Sequence, residues 1–382
     1  MKISRVTAYP LLAPLPRPLY TAHEALKDSS LVLVEVEAGD IRGYGIIHGS
    51  PLKTICEWVE RLGASVVGTD ALAHEIVWDR LFALTAPRPG GMFAHDGLPP
   101  PLPRPARPHV MAAVGGIDIA LWDIKGKAAG MPVYRLLGGA RRPLPTYSTG
   151  GYYAKDATLD ALAREMAGYI AAGYRAVKLK TGGLALDEEV RRVAAVREAI
   201  GPDALLMLDL NAAYDLHECI RYSHAVAPYG ITWIEEPLHW YLQPPDYVQL
   251  ARATAIPLAH GERELHRYTV RDFLTSGAIR YLQFDATRAA GFTEAWRVAQ
   301  LAEQHGVYVA PHHAPEIHGH LVAALPRAGY CVESHGNADR DPLWHHLYAE
   351  RAQVRDGCVH LNDKPGWGVA IDWDAVRHYR AA

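Results

Sequence analysis

Seven polar residues from position 180 onward in this 382-residue chain are of the types that metal and proton-transfer chemistry use: Lys180, Asp209, Glu235, Glu262, Asp285, His312 and Glu333. Asp209, Glu235 and Glu262 are three carboxylates that can share a small volume only if a cation compensates their charge. All-oxygen ligation of that kind suits Mg²⁺ rather than zinc. Lys178 and Lys180 form K-L-K. Positions i and i+2 of a strand face one side, so both ammonium groups are predicted to enter the same site. Burial, a second lysine and a nearby metal all push a lysine's pKa down and make it a base. Asp285 and His312 supply the pairing in which a carboxylate fixes an imidazole's tautomer for acid–base work. Taken singly, each carboxylate also reads as a helix N-cap or a surface ion pair, and each lysine as a solvated strand end. It is the set in order that points to a site.

The intervals within the set are 29, 26, 27, 23, 27 and 21 residues, and each member follows a short apolar run and precedes a helical stretch. That rhythm predicts a (β/α)-barrel, whose active-site mouth is formed by the C-terminal strand ends. Strands are predicted at 145–148, 176–180, 205–209, 232–235, 256–259, 279–284, 307–310 and 330–333, with helices at 157–172, 186–200, 216–227, 247–254, 270–276, 293–305 and 317–325 between them. The first third reads as α+β: strands at 3–9 and 30–37, a turn at Asp40 and Gly43–Gly45 into Ile46–Ile47, and helices at 52–62, 71–84 and 110–129. A Pro- and Gly-dense stretch, 87–108, reads as a functional loop. The expected organisation is a capping domain over 1–130, a barrel over 131–355, and a tail over 356–382 that packs on the capping domain.

Length accommodates a barrel of about 250 residues plus a smaller domain. The net charge of −3 offers no basic field for nucleic acid. No uninterrupted apolar run reaches the roughly 18 residues of a membrane helix. Prolines at 10, 14, 16 and 18 interrupt the first twenty residues, so no secretory signal is read. Four scattered cysteines without a CxxC fit a reduced, cytoplasmic protein.

Together these residues resemble the enolase superfamily, in particular its mandelate racemase-like subgroup, over essentially the whole chain. The segment GIDIALWDIKGKAAGMPVYRLLGG (116–139) is similar to the family's stretch between capping domain and barrel. K-L-K at 178–180 matches its K-x-K, and L-D-L-N (208–211), W-I-E-E-P (233–237) and H-G-E (260–262) match its metal-ligand motifs. His312, Glu316, Ile317, His320 and Leu321 fit the spacing H-x3-E-I-x2-H-L, whereas His313 does not; C-V-E at 331–333 matches the last strand's glutamate.

The resemblance implies one Mg²⁺ per subunit on Asp209, Glu235 and Glu262, binding the carboxylate of a small, hydroxylated sugar acid. It implies Lys180 and His312 as acid–base groups on opposite faces, Asp285 as the histidine's partner, Lys178 stabilising an enediolate, and Glu333 anchoring the substrate. Asn211 and Glu236 are expected near the substrate or behind the ligands. Arg288 stands where relatives often have lysine. Tyr20, His23 and Glu24, together with residues 48–51, fall on capping loops expected to choose the substrate, with Phe93 and Trp240 at the rim. The expected reaction is dehydration of a sugar acid; the alternative is a racemase or epimerase of a 2-hydroxy acid. A binding protein that has lost catalysis is the reading from another class. Its mark would be a missing ligand or base, and every one is present. The resemblance also implies a homo-oligomer.

Overall fold

The computed structural model describes residues 1–86 and 106–381. The Pro-rich stretch up to residue 105, with Phe93, lies outside the described residues. The chain opens with an antiparallel sheet of β1 (Ile3–Tyr20), β2 (Ala25–Ala38) and β3 (Ile41–Ile47), in that order. The helices α1 (Leu52–Val66), α2 (His74–Ala83) and α3 (Arg107–Ala129) cover it.

Two expectations for this region are corrected. β1 runs through its four prolines to Tyr20, because it is an edge strand and needs no outward N–H there; its register breaks between Pro14 and Leu19. Gly43 and Gly45 are not a turn but lie inside β3. A Cβ on either would come within 2.1 Å of a carbonyl oxygen of α3, that of Ala120 or of Gly116. The glycines are there to let the helix backbone lie directly on the strand.

After the short α4 (Val133–Leu136), strands and helices alternate. The strands are β4 (Leu144–Gly150), β5 (Ala176–Lys180), β6 (Leu205–Asp209), β7 (Ile231–Glu235), β8 (Leu258–His260), β9 (Tyr281–Leu282), β10 (Tyr308–Val309) and β11 (Val332–Ser334). Seven helices separate them: α5 (Leu159–Ala171), α6 (Leu186–Ile200), α7 (Leu216–Val226), α8 (Pro244–Ala253), α9 (Arg267–Ser276), α10 (Gly291–Gln304) and α11 (Pro315–Ala323). All neighbouring strands from β4 to β10 are parallel, and β11 pairs with β4. A bridge from Val309 to Gly329 closes the ring. β9 and β10 are shorter than the sequence predicts, but Gln283 N–H to His260 and Ala310 N–H to Leu282 carry the pairing past their ends.

The main core lies between the strands and the helix layer, and a second one lies inside the capping domain. The C-terminal tail returns to both domains. Within it, Val359 pairs with Leu144 of β4, and Trp367 donates to the carbonyl of Ile119 in α3. Leu12 and Ala381 exchange backbone bonds with Tyr379 and Pro10, which covers the free edge of β1.

Candidate active site

Inside the barrel a closed layer takes one residue from each strand position: Tyr147, Ala176, Met207, Trp233, Ala259, Tyr281, Ala310 and Cys331. Large and small side chains alternate around much of it, so the layer fills the ring without a pore. Two residues further along each strand, on the same face, stand Thr149, Lys178, Asp209, Glu235, Gly261, Gln283, His312 and Glu333. The apolar floor therefore carries an ionic layer directly above it. Lys180, two residues above Lys178, belongs to the next level, and the ladder sets it beside Asp209 and Asp209 beside Glu235.

The charges are buried and close. The ligand oxygens of Asp209, Glu235 and Glu262 all lie within 4.8 Å of one another. Lys178 Nζ, fully buried, is 2.8 Å from Glu235, 3.2 Å from Glu333 and 3.6 Å from Asp209. Lys180 Nζ is 2.5 Å from Asp209 Oδ2. Glu235 Oε2 accepts from Gln283 at 2.6 Å and from the Trp233 indole at 3.3 Å. Burial and the neighbouring Asp209 push the Glu235 carboxyl well above its ordinary range. Glu333 accepts from Thr149 and, at 3.0 Å, from the backbone N–H of His313.

Without a bound cation, the electrostatic balance at the two lysines is the reverse of the one expected beside a metal. Burial does pull both lysines down, but adjacent carboxylates outweigh it and raise Lys178 and Lys180 above the ordinary lysine value. Here the ammonium groups are themselves the cations that compensate the acidic cluster. The donor set nonetheless fits a divalent ion. It is oxygen only, buried, and Glu262 Oε2 has no hydrogen-bond partner among the described residues.

Across the barrel, His312 Nδ1 is 2.8 Å from Asp285 Oδ2. Asp285 Oδ1 accepts from the N–H and hydroxyl of Thr287, both at 2.7 Å. Burial favours the neutral carboxyl, but the His312 hydrogen bond and nearby imidazoles hold Asp285 far below the usual carboxylate range. His312 is thereby oriented with Nε2 toward the acidic cluster, 3.4 Å from Glu262 Oε2 and 4.0 Å from Glu333. From the capping domain His48 stacks on this ring, centroids 5.7 Å apart at 5°. Two further histidines of this segment, His318 and His320, are held for structure. His318 donates to the His313 carbonyl and accepts from Ala286 N–H. His320 accepts from Tyr134 N–H and bonds the Trp367 carbonyl.

The remaining sequence-predicted residues surround this centre. Asn211 and Glu236 have left-handed backbone, φ 46 and 41, at the turns after β6 and β7. Asn211 N–H donates to Asp209, and its Oδ1 is buried without a partner among the described residues. Glu236 is clamped by Arg263 at 2.8 and 3.1 Å, and burial pushes its carboxyl up to about 8. Arg288 donates to Glu262 Oε1 at 2.9 Å. His23 reaches the Ala212 carbonyl at 3.0 Å and stands 5.3 Å from Trp240, so the early capping loop does meet the barrel rim. Tyr20 instead joins the barrel through backbone bonds to Tyr153. Sequence reasoning passed over Thr149 and Gln283, although both lie on the strand face that the K-x-K alternation marks. It also missed Arg263, Arg340 and Asp341, for which the sequence carries no local signal.

Residues 161–375 match the family model described as Enolase C-terminal domain-like, and residues 5–138 match that of the Mandelate racemase / muconate lactonizing enzyme, N-terminal domain. The chain belongs to the mandelate racemase/muconate lactonizing enzyme family. Within that family it is 34% identical to a D-galactarolactone cycloisomerase of Agrobacterium fabrum, over 100% of this chain and 99% of the relative. It is 28% identical to an arabinonate dehydratase of Saccharolobus solfataricus, over 92% and 90%. Its fold superposes on a racemase from Streptomyces coelicolor A3(2) with bound magnesium at a TM-score of 0.87, with 28% identity and 99% and 100% coverage. The capping domain and barrel are those of the enolase superfamily.

Proposed function

We propose that this family member removes the proton α to a carboxylate and then expels an oxygen from the β-carbon, converting a hydroxylated sugar acid into a 2-keto-3-deoxy acid. One observation carries the reading: Lys180 and His312 approach a single carboxylate triad from different sides, at 2.5 Å from Asp209 and 3.4 Å from Glu262. Asp209, Glu235 and Glu262 would hold Mg²⁺, which when bound supplies a Lewis-acidic anchor for the substrate carboxylate. Lys178 donates to the charge that develops on that carboxylate, from a site already closed to water. Glu333 borders the same position. His312 exchanges its proton at Nε2, because Asp285 occupies Nδ1. Lys180 serves the opposite face. Asn211, with its free Oδ1, and Arg288 are placed to meet substrate oxygens. The dehydratase among the relatives supports this outcome.

The 34% identity with a lactone cycloisomerase supports a second reading, in which the same elimination expels an oxygen tethered in a ring. Return of the proton from the opposite face gives the third, racemisation. A homo-oligomer in the cytoplasm is part of the same proposal, supported by the family resemblance and by four free thiols.

The test is turnover of a panel of C5 and C6 aldonic and aldaric acids in D₂O, followed by ¹H NMR. Deuterium is expected at C2 of the acid that reacts. Lys180→Ala and His312→Asn should each abolish reaction in at least one stereochemical sense, a loss of about 100-fold or more for a lost acid–base group. Full activity in both variants overturns the two-base assignment.

A further inference from the structure

We propose that His313, oriented by Asp341, is a second acid of this site and delivers the proton to the oxygen that leaves the β-carbon. The proposal rests on the eliminative reading above and deepens it. Two consecutive histidines each hold a buried carboxylate, but through opposite ring nitrogens. His312 uses Nδ1, on Asp285 at 2.8 Å, and His313 uses Nε2, on Asp341 at 2.9 Å. The working nitrogen of His312 is therefore Nε2, turned to the carboxylate triad where C1 and C2 of a bound acid lie. That of His313 is Nδ1, which is buried and has no hydrogen-bond partner among the described residues. An orphaned buried polar atom is costly to keep, and beside a cavity a ligand can supply the missing partner.

The backbone places His313 at a junction. Its φ of 55 lies in the left-handed region, a strained conformation for a residue with a Cβ. Its N–H donates to Glu333 Oε2, which ties it to the ionic layer. Its side chain instead lines a cavity of about 640 Å³ between capping domain and barrel, with Arg288, His48, Arg340 and Asp341. Neither Lys180 nor His312 lines that cavity. An acid held by the triad has its C1 and C2 among Lys180 and His312, and its further carbons in the cavity, where two imidazoles, His313 and His48, stand stacked at 4.5 Å and only His313 is oriented by a carboxylate, Asp341. Asp341 is itself anchored by Ser29 of β2 at 2.6 Å. Burial raises its carboxyl, but the His313 hydrogen bond and neighbouring cations hold it well below the usual range, so it faces the imidazole as an anion.

The step balances. The C2–H bond breaks, its proton going to Lys180 or His312. Its electron pair forms the C2–C3 double bond as the C3–O bond breaks. The leaving oxygen keeps that bond's electrons and takes the His313 proton, departing as water or, from a ring, as the hydroxyl or carboxyl that ring opening frees. The enol becomes the 2-keto acid, and His313 recovers a proton from water in the cavity.

The experiment measures C2 exchange and elimination separately, in D₂O, on the panel acid that the wild-type enzyme turns over and on its 3-deoxy analogue, which has no oxygen to lose. His313→Gln should retain C2 exchange on both compounds and lose elimination by about 100-fold, the scale of one general acid. Asp341→Asn, a positioning variant that keeps the imidazole, should lower kcat for elimination with KM unchanged and likewise spare exchange. Thermal stabilisation by Mg²⁺ in both variants checks that the barrel mouth is folded. Elimination and exchange falling together, or elimination unchanged in both variants, overturns the proposal. No C2 exchange in the wild-type enzyme on any panel acid overturns the function proposed above, and this proposal with it.

Discussion

His320 gives the fold a defined sensitivity to acid. The ring is 1% exposed, and both nitrogens are used. One accepts from Tyr134 N–H, and the other bonds the Trp367 carbonyl, so it must carry the proton. A second proton would have to displace the Tyr134 N–H in a buried setting. Burial accordingly lowers the pKa to about 4, against 6.5 for a free histidine. Because the folded value is the lower one, the unfolded chain takes up the proton first as pH falls. Stability is therefore present above pH 6.5 and is lost progressively between 6.5 and 4. At pH 7.5 the effect is negligible. At pH 5.0 the two proton-binding polynomials differ by about 1.5 decades, or about 2 kcal/mol. The perturbation is His320→Asn, whose carbonyl can still accept from Tyr134 but which does not titrate. Urea unfolding of both proteins at pH 7.5 and 5.0 gives the four free energies. The variant is expected to be the less stable at pH 7.5, because ring packing on Trp367 and Tyr134 is lost. Its deficit should shrink by about 2 kcal/mol at pH 5.0. A deficit that is the same at both pH values would refute the assignment of a neutral, pinned imidazole.

Millimolar Mg²⁺ should raise the melting temperature, by about 2.7 kcal/mol of stabilisation at a hundredfold excess over Kd; Glu262→Gln should need markedly more Mg²⁺ for the same shift in a thermal melt. Trp233→Ala should destabilise by about 3–5 kcal/mol in urea unfolding, since the indole is fully buried in the barrel floor. Trp233→Phe keeps a ring but drops the bond to Glu235 Oε2, and should cost about 1–3 kcal/mol. Gly45→Ala should destabilise by about 1–3 kcal/mol, because its Cβ would meet the Gly116 carbonyl oxygen at 2.1 Å; an unchanged denaturation midpoint would mean that α3 can lift off β3 without penalty.

The barrel and the ionic layer were legible because strand alternation and strand spacing are both periodic, and periodicity survives in a bare sequence. Asp209, Glu235 and Glu333 needed nothing more than that. Thr149 and Gln283 obey the same alternation, yet a neutral polar residue in a strand draws no notice until its neighbour across the ring is known. The lysines show a different limit. Burial was readable from their apolar flanks, but the sign of their pKa shift depends on carboxylates 29 and 57 residues away in the chain. Gly43 and Gly45 read as a turn because the helix backbone that forbids their Cβ atoms arrives from more than seventy residues later. Asp341, on the irregular segment after β11, meets His313 only through the closure of the barrel.

The ladder that sets Lys180 beside Asp209 and Asp209 beside Glu235 has a consequence for how such a chain can change. A single residue inserted or deleted within β5, β6 or β7 would turn every later side chain of that strand from the interior to the helix layer. Such a change would remove a floor residue and a charge together. The capping loops around His23 and His48 carry no such constraint, since they approach the mouth from outside the ring. Length variation should accumulate there while strand length stays fixed. One part of the chain can thus explore new substrates by insertion and deletion, and the other can change only by substitution.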